Sequence, residues 1–164
     1  DKFTLNSLKK MIFAHDLKGN IYNPRNKEIK CIVEGKARGN LIGGNLSIIC
    51  SSLGTENEID TRNKILFIEE IGEEPYKVDR MLLQLVQAGK INDCAGIIFG
   101  YFSSCEPSNP NQSLTISEVI KELIKPCGKP IIAGVACGHS LPSLTLPMGV
   151  EVVIDSKNKN IKII

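Results

Sequence analysis

Apolar positions change their spacing along this chain, and each change marks an element. Leu5, Leu8, Met11 and Ile12 recur at helical spacing, which predicts a short opening helix. Residues 15–28 are polar and contain Asn23-Pro24-Arg25-Asn26, a loop or linker. Ile29, Cys31 and Val33 alternate with Lys30 and Glu34, as a half-buried strand does. A glycine-rich stretch then runs from Gly35 to Gly44 and ends in Gly43-Gly44-Asn45. Asn45 is placed to cap a helix carrying Leu46, Ile49, Cys50 and Leu53, stopped by Gly54.

After a polar loop over 55–64, Ile65-Leu66-Phe67-Ile68 is a continuous apolar run, the mark of a strand buried on both faces. It ends abruptly in Glu69-Glu70. Pro75 starts a helix bearing Val78, Met81, Leu82, Leu85 and Val86, closed by Gly89. Ala95 to Phe99 is a second buried strand, and residues 103–113 read as loop. Thr115-Ile116-Ser117-Glu118 fits a capping box for a helix that runs to Lys125, before Pro126. Ile131 to Val135 is a third buried run. Val150–Ile154 and Ile161–Ile164 bracket a polar turn, as in a hairpin. Strands alternating with helices and closing on a hairpin predict an α/β domain.

Composition narrows the function classes. The chain has 164 residues, 42% of them hydrophobic and 23% charged, with 20 basic and 18 acidic side chains and a net charge of +2. That balance lacks the basic footprint of a nucleic-acid binder. With 5% aromatics and no Trp, base-stacking platforms are also scarce. Residues 130–150 carry no Asp, Glu, Lys or Arg, yet Pro130, Pro142, Pro147, Gly134, Gly138 and His139 interrupt them, so they read as strand and loop and not as a membrane span. The opening apolar cluster is short and followed by His15, Asp16 and Lys18, unlike a signal peptide. The six cysteines show no C-x-x-C and no metal-ligand pairing with the two histidines. Most lie in apolar runs, as reduced core thiols of a cytosolic protein do.

Three places could carry chemistry. Glu69 and Glu70 stand at the carboxyl end of a buried strand, where α/β sheets place ligands; salt bridges also use such positions. Glu73, Glu74 and Asp79 read instead as the solvated start of the next helix. His139 follows the third apolar run in a loop held by Gly138 and Pro142, at the same end of the sheet if the strands are parallel. A carboxylate and an imidazole meeting there form the base half of a catalytic triad; the alternative is a lone structural histidine. His15, in a polar loop, reads as structural. Gly43, Gly44 and Asn45 open a helix and could offer N–H groups to an anion, but the stretch has neither G-x-G-x-x-G spacing nor a Lys, and a close-packing turn is the alternative. No serine sits in G-x-S-x-G. Cys137, two residues from His139, has no neighbour that would visibly lower its thiol pKa.

Three motifs then carry a resemblance. Gly39-Asn40-Leu41-Ile42-Gly43-Gly44-Asn45-Leu46 resembles the G-x-L-x-G-G-N-L segment of the LD-carboxypeptidases, or muramoyltetrapeptide carboxypeptidases. Residues 65–85, ILFIEEIGEEPYKVDRMLLQL, resemble that family's ILxLEDxxExPYxxDRxLxQL, with Glu70 in place of its usual Asp. Gly138-His139 followed by Leu144-Thr145-Leu146-Pro147-Met148-Gly149 is similar to its GHxxxxxTLPLG.

The resemblance implies a Ser-His-Glu triad in which Glu69 orients His139. The family's serine lies on an elbow in an N-terminal domain, so this chain resembles the C-terminal half, a swivelling β/β/α domain over residues 29–164. Residues 1–28 would be the interdomain segment, and the start at Asp1 fits a piece of a longer protein. The implied reaction removes a terminal D-Ala from a peptidoglycan-derived tetrapeptide, in the cytoplasm, with no metal or organic cofactor. The implied partners are the protein's own N-terminal domain and a second copy in a homodimer, with Gly43, Gly44 and Asn45 on the substrate side. Two other readings remain at this stage: a microcin C immunity-type hydrolase of peptidyl or aminoacyl nucleotides, and a non-catalytic interaction domain of the same fold.

Overall fold

The computed structural model describes residues 1–164. Its strands are β1 (Gly19–Ile21), β2 (Lys30–Val33), β3 (Lys36–Asn45), β4 (Ile65–Ile71), β5 (Gly96–Ser103), β6 (Ile131–Ala133), β7 (Glu151–Asp155) and β8 (Asn160–Ile163). They form one eight-stranded sheet in the order β1-β8-β7-β3-β4-β5-β6-β2. The helices are α1 (Lys2–Phe13), α2 (Leu46–Ser52), α3 (Pro75–Gln87), the short α4 (Lys90–Asp93) and α5 (Ile116–Val119).

Strand β3 changes partner halfway along its length. Lys36 to Asn40 pair antiparallel with β7, whereas Leu41 to Asn45 pair parallel with β4. Strands β4, β5 and β6 continue the parallel part, and β2 closes its far edge antiparallel to β6. The β7–β8 hairpin and β1 complete the antiparallel part.

Two apolar clusters explain the layering. One packs Leu66, Ile68, Ile97, Phe99 and Ile131 of the parallel strands against Leu46, Ile49, Val78, Leu82 and Leu85 of α2 and α3. The other packs Ile65, Phe67, Ile98 and Ile132 from the opposite face against Val152, Ile154, Ile161 and Ile163 of the hairpin. Successive residues of a strand point to opposite faces, so each apolar run feeds both clusters. The result is a three-layer β/β/α arrangement, as the family resemblance implies.

Three segments differ from the expectation. The glycine-rich stretch 35–44 is mostly the central strand β3 and not a loop. Glycine is depleted from strands in general, but it serves where another backbone comes close. A Cβ on Gly43, whose φ is +128°, would lie 1.9 Å from the carbonyl oxygen of Phe67. The polar segment 15–28 contains β1, which exists through its pairing with β8, 140 or so residues onward in register Gly19↔Ile163 and Ile21↔Ile161. Phe3, Met11 and Leu17 also pack against the second cluster. Finally, the helix from Thr115 has its capping box, but becomes a π-turn over Ile120–Ile124 and a 3-10 turn over Lys125–Cys127. Pro126 has no N–H with which to continue the α ladder. The uncharged stretch 130–150 is β6 and irregular chain, and no helix is long and apolar enough to cross a membrane.

Gly43→Ala is expected to destabilise the domain by about 3 kcal/mol or more, because both the left-handed backbone and the Phe67 carbonyl oppose a methyl group. Gly54→Ala meets open space at φ +78° and should cost only about 1–2 kcal/mol of backbone strain. Urea unfolding of the two variants side by side measures the difference, and equal losses would remove the close-approach explanation.

Candidate active site

The end of β4 carries two consecutive buried carboxylates. Glu69 is 5% exposed and Glu70 is 2% exposed. The strand's period of two separates them: Glu69 follows Ile65 and Phe67 onto the hairpin face, and Glu70 follows Leu66 and Ile68 onto the helix face. Their partners differ accordingly.

Glu69 meets His139. His139 Nδ1 lies 2.7 Å from Glu69 Oε2. A carboxylate accepts and does not donate, so Nδ1 carries the proton in this pair, and in the neutral ring Nε2 presents its lone pair. Half of the His139 side chain is exposed, whereas Glu69 is almost fully covered. The acid is therefore held inside while the ring's working edge reaches outward. Gly138 makes the contact feasible: its φ is +134°, and a Cβ there would lie 2.8 Å from Glu69 Oε2.

The His139 loop has no regular hydrogen-bond ladder and is held from outside. Tyr101 Oη donates to the Pro142 carbonyl at 2.8 Å, and Ser103 Oγ lies 2.6 Å from Ser140 Oγ. Ser143 N–H donates to Thr4 Oγ1 and Thr145 N–H to Ser7 Oγ, both on α1. Asn23 accepts from Ala136 N–H and donates to the Gly134 carbonyl. These supporting residues were not singled out from the sequence. Each lies 37 to 139 residues from its partner, so no local pattern reports them.

Glu70 meets α2. Its Oε1 accepts from Asn45 Nδ2 at 2.7 Å and Ile71 N–H at 2.8 Å; its Oε2 accepts from Ser47 N–H at 2.8 Å and Ser47 Oγ at 2.6 Å. Burial by itself would raise its pKa, but these bonds outweigh it and hold the carboxyl below its ordinary value. Gly43 serves close packing against Phe67, the alternative to an anion site, and the carboxylate at the helix start is the protein's own Glu70 on Ser47 N–H. Gly43, Gly44 and Asn45 form the end of β3, and Asn45 stands beside Glu69 in register. Glu73 pairs with Lys77, and Glu74 accepts from Ser108.

All six cysteines are free thiols. Burial, and then the Glu69 charge, push the Cys137 thiol up to about 11, so it is protonated at neutral pH and no nucleophile. His15 is exposed, away from any ion pair.

The fold and the site define a β/β/α domain that presents a buried acid from the end of a strand and an outward-facing imidazole from a loop, both at one end of a parallel sheet. The family profile for the LD-carboxypeptidase C-terminal domain matches residues 38–154. The chain belongs to that family, through its C-terminal domain. It is 46% identical over 128 residues to a Bacillus subtilis protein named "Probable murein peptide carboxypeptidase", covering 78% of this chain and 40% of that one. It is 34% identical over 134 residues to the Escherichia coli "Microcin C7 self-immunity protein MccF", covering 79% of this chain and 37% of that one. Among solved structures, MccF in complex with glutamyl sulfamoyl guanosine superposes with a TM-score of 0.87 at 26% identity, over 99% of this chain and 55% of that one. Muramoyltetrapeptide carboxypeptidase from Oxalobacter formigenes gives 0.82 at 27% identity, over 99% and 54%. The chain therefore spans only about half of these relatives, or less.

The lowered pKa of Glu70 sets a pH dependence. Its carboxylate adds stability above the unfolded value of about 4.3, and that contribution is lost as the pH falls through the lower folded value. The gap in unfolding free energy between wild type and Glu70→Gln should therefore be wide at neutral pH and shrink below about pH 4. Urea titrations at both pH values test this; a gap independent of pH would mean the charge is not its source.

Proposed function

We propose that this domain supplies Glu69 and His139 to a Ser-His-Glu triad that hydrolyses the L,D-amide before a terminal D-Ala in cell-wall tetrapeptides. The observation that carries the reading is the 2.7 Å contact between His139 Nδ1 and Glu69 Oε2, with the other ring nitrogen free of protein partners. The nucleophilic serine belongs to an N-terminal domain outside this chain, in keeping with relatives about twice as long.

In this scheme His139 Nε2 accepts the serine proton as the hydroxyl attacks the amide carbonyl. Glu69 keeps the proton on Nδ1 and stabilises the imidazolium that forms. The tetrahedral intermediate collapses as His139 protonates the departing D-Ala amine. Water then attacks the acyl-serine with His139 again as base, and the shortened peptide leaves. Gly43, Gly44 and Asn45, at the strand end beside Glu69, line the substrate side. The working protein is cytoplasmic and homodimeric, and its N-terminal domain completes the crevice.

A second reading, hydrolysis of an acyl nucleotide, is supported by the superposition on MccF. The higher sequence identity to the murein peptide carboxypeptidase favours the peptide. So does the absence of Trp, with only 5% aromatics to stack on a base.

The test is D-Ala release from an L,D-tetrapeptide by the full-length parent protein. His139→Ala should lower kcat by about four orders of magnitude or more. Glu69→Gln, which removes the charge that stabilises the imidazolium, should cost about ten-thousand-fold. Folding is checked by circular dichroism. Turnover of an aminoacyl nucleotide but not the tetrapeptide would establish the second reading, and full activity in His139→Ala would make the pair structural.

A further inference from the structure

Four hydrogen bonds end on Glu70, yet it takes no part in the acid–imidazole pair. A buried carboxylate with only acceptor atoms dictates the orientation of every group that touches it. Asn45 is the informative case. Its Nδ2 faces Glu70 at 2.7 Å, and its Oδ1 accepts from Ile48 N–H at 3.2 Å as the cap of α2. The two contacts fix which end of the amide is which. They use one of the two Nδ2 hydrogens and leave the other without a protein partner, at the strand ends, where the Asn45 backbone pairs with Glu69 and its amide lies on the Glu70 side.

We propose that Glu70 is a positioning residue for substrate: it locks the Asn45 amide so that the remaining N–H donates to a carbonyl or carboxylate oxygen of the peptide bound beside Glu69 and His139. The inference rests on the reading of the site as a peptide hydrolase. Glu70 and Glu69 then divide the work of the β4 end between them. Glu69 orients the group that moves protons, and Glu70 orients a group that holds substrate.

Glu70→Gln is nearly isosteric and shows why the charge matters. One end of a glutamine amide is a donor, so it must oppose either Ser47 or the Asn45–Ile71 pair of donors. Turning the Asn45 amide over relieves its own part of the second clash and leaves only the Ile71 N–H opposed. That turn points Nδ2 at the Ile48 N–H, loses the helix cap and puts a carbonyl oxygen where the donor stood.

The experiment is steady-state kinetics of the full-length parent on the tetrapeptide, with thermal melts of each variant. Glu70→Gln is expected to raise KM by about ten-fold while kcat stays within about three-fold. Asn45→Ala should do the same, and the double variant should be no worse than Asn45→Ala alone, because both remove one shared contact. Glu70→Asp keeps an acceptor one methylene further back; it should stay folded with a smaller rise in KM, and carries the test if Glu70→Gln does not fold. A lowered melting temperature with unchanged KM in the folded variants would make Glu70 purely structural and overturn the proposal. Additive KM effects in the double variant would overturn it too, since Glu70 would not act through Asn45. Wild-type turnover separates these failures from that of the hydrolase reading: no D-Ala release by the wild type overturns both.

Discussion

The two-residue period of one buried strand sets where this molecule's two buried acids point. At the end of β4 the chain must place two acids in succession where its apolar residues have already been divided between two faces. Glu69 inherits the face covered by the hairpin, and Glu70 the face covered by the helices. Neither can exchange roles with its neighbour, because a shift of one residue would turn every side chain of the strand to the wrong core. The acid–imidazole contact therefore depends on the same register that packs Leu66 and Ile68 against α2 and α3.

That register in turn depends on a close approach of backbones. β3 lies against β4 with glycine at the point where the Phe67 carbonyl leaves no space for a side chain. The same strand joins the parallel and antiparallel parts, pairing with β7 over its first half and β4 over its second. One rigid element thus sets the position of both layers and ends at Asn45, next to the acids. Gly138 repeats the device on the histidine side, where the Glu69 carboxylate fills the space a Cβ would take. Glycine here serves contact more than flexibility.

The histidine loop is stabilised differently. It has no ladder of its own, and its peptide groups are satisfied by side chains from α1, from β5 and from the segment around Asn23. A buried peptide group left unpaired is costly, so these bonds hold the loop in one arrangement. They also tie the first 28 residues to the site: Thr4 and Ser7 reach the loop that follows His139, and Asn23 reaches Gly134 and Ala136 between β6 and His139.

Sequence alone determined the elements whose signal is local. The apolar runs at 65–68, 95–99 and 131–135, the caps at Asn45 and Thr115, and the closing hairpin are readable because burial and capping act between residues a few positions apart. It also pointed to Glu69 and His139, since an acid ending a buried run and a glycine-led histidine loop are local marks as well. Tertiary structure alone decided that the glycine stretch is a strand, that Gly19–Ile21 is another, and that Glu70 braces Asn45 while Glu69 turns the other way. Each of these depends on a backbone or side chain arriving from far along the chain. A glycine's freedom, or a short polar segment's conformation, is settled by what comes to lie against it.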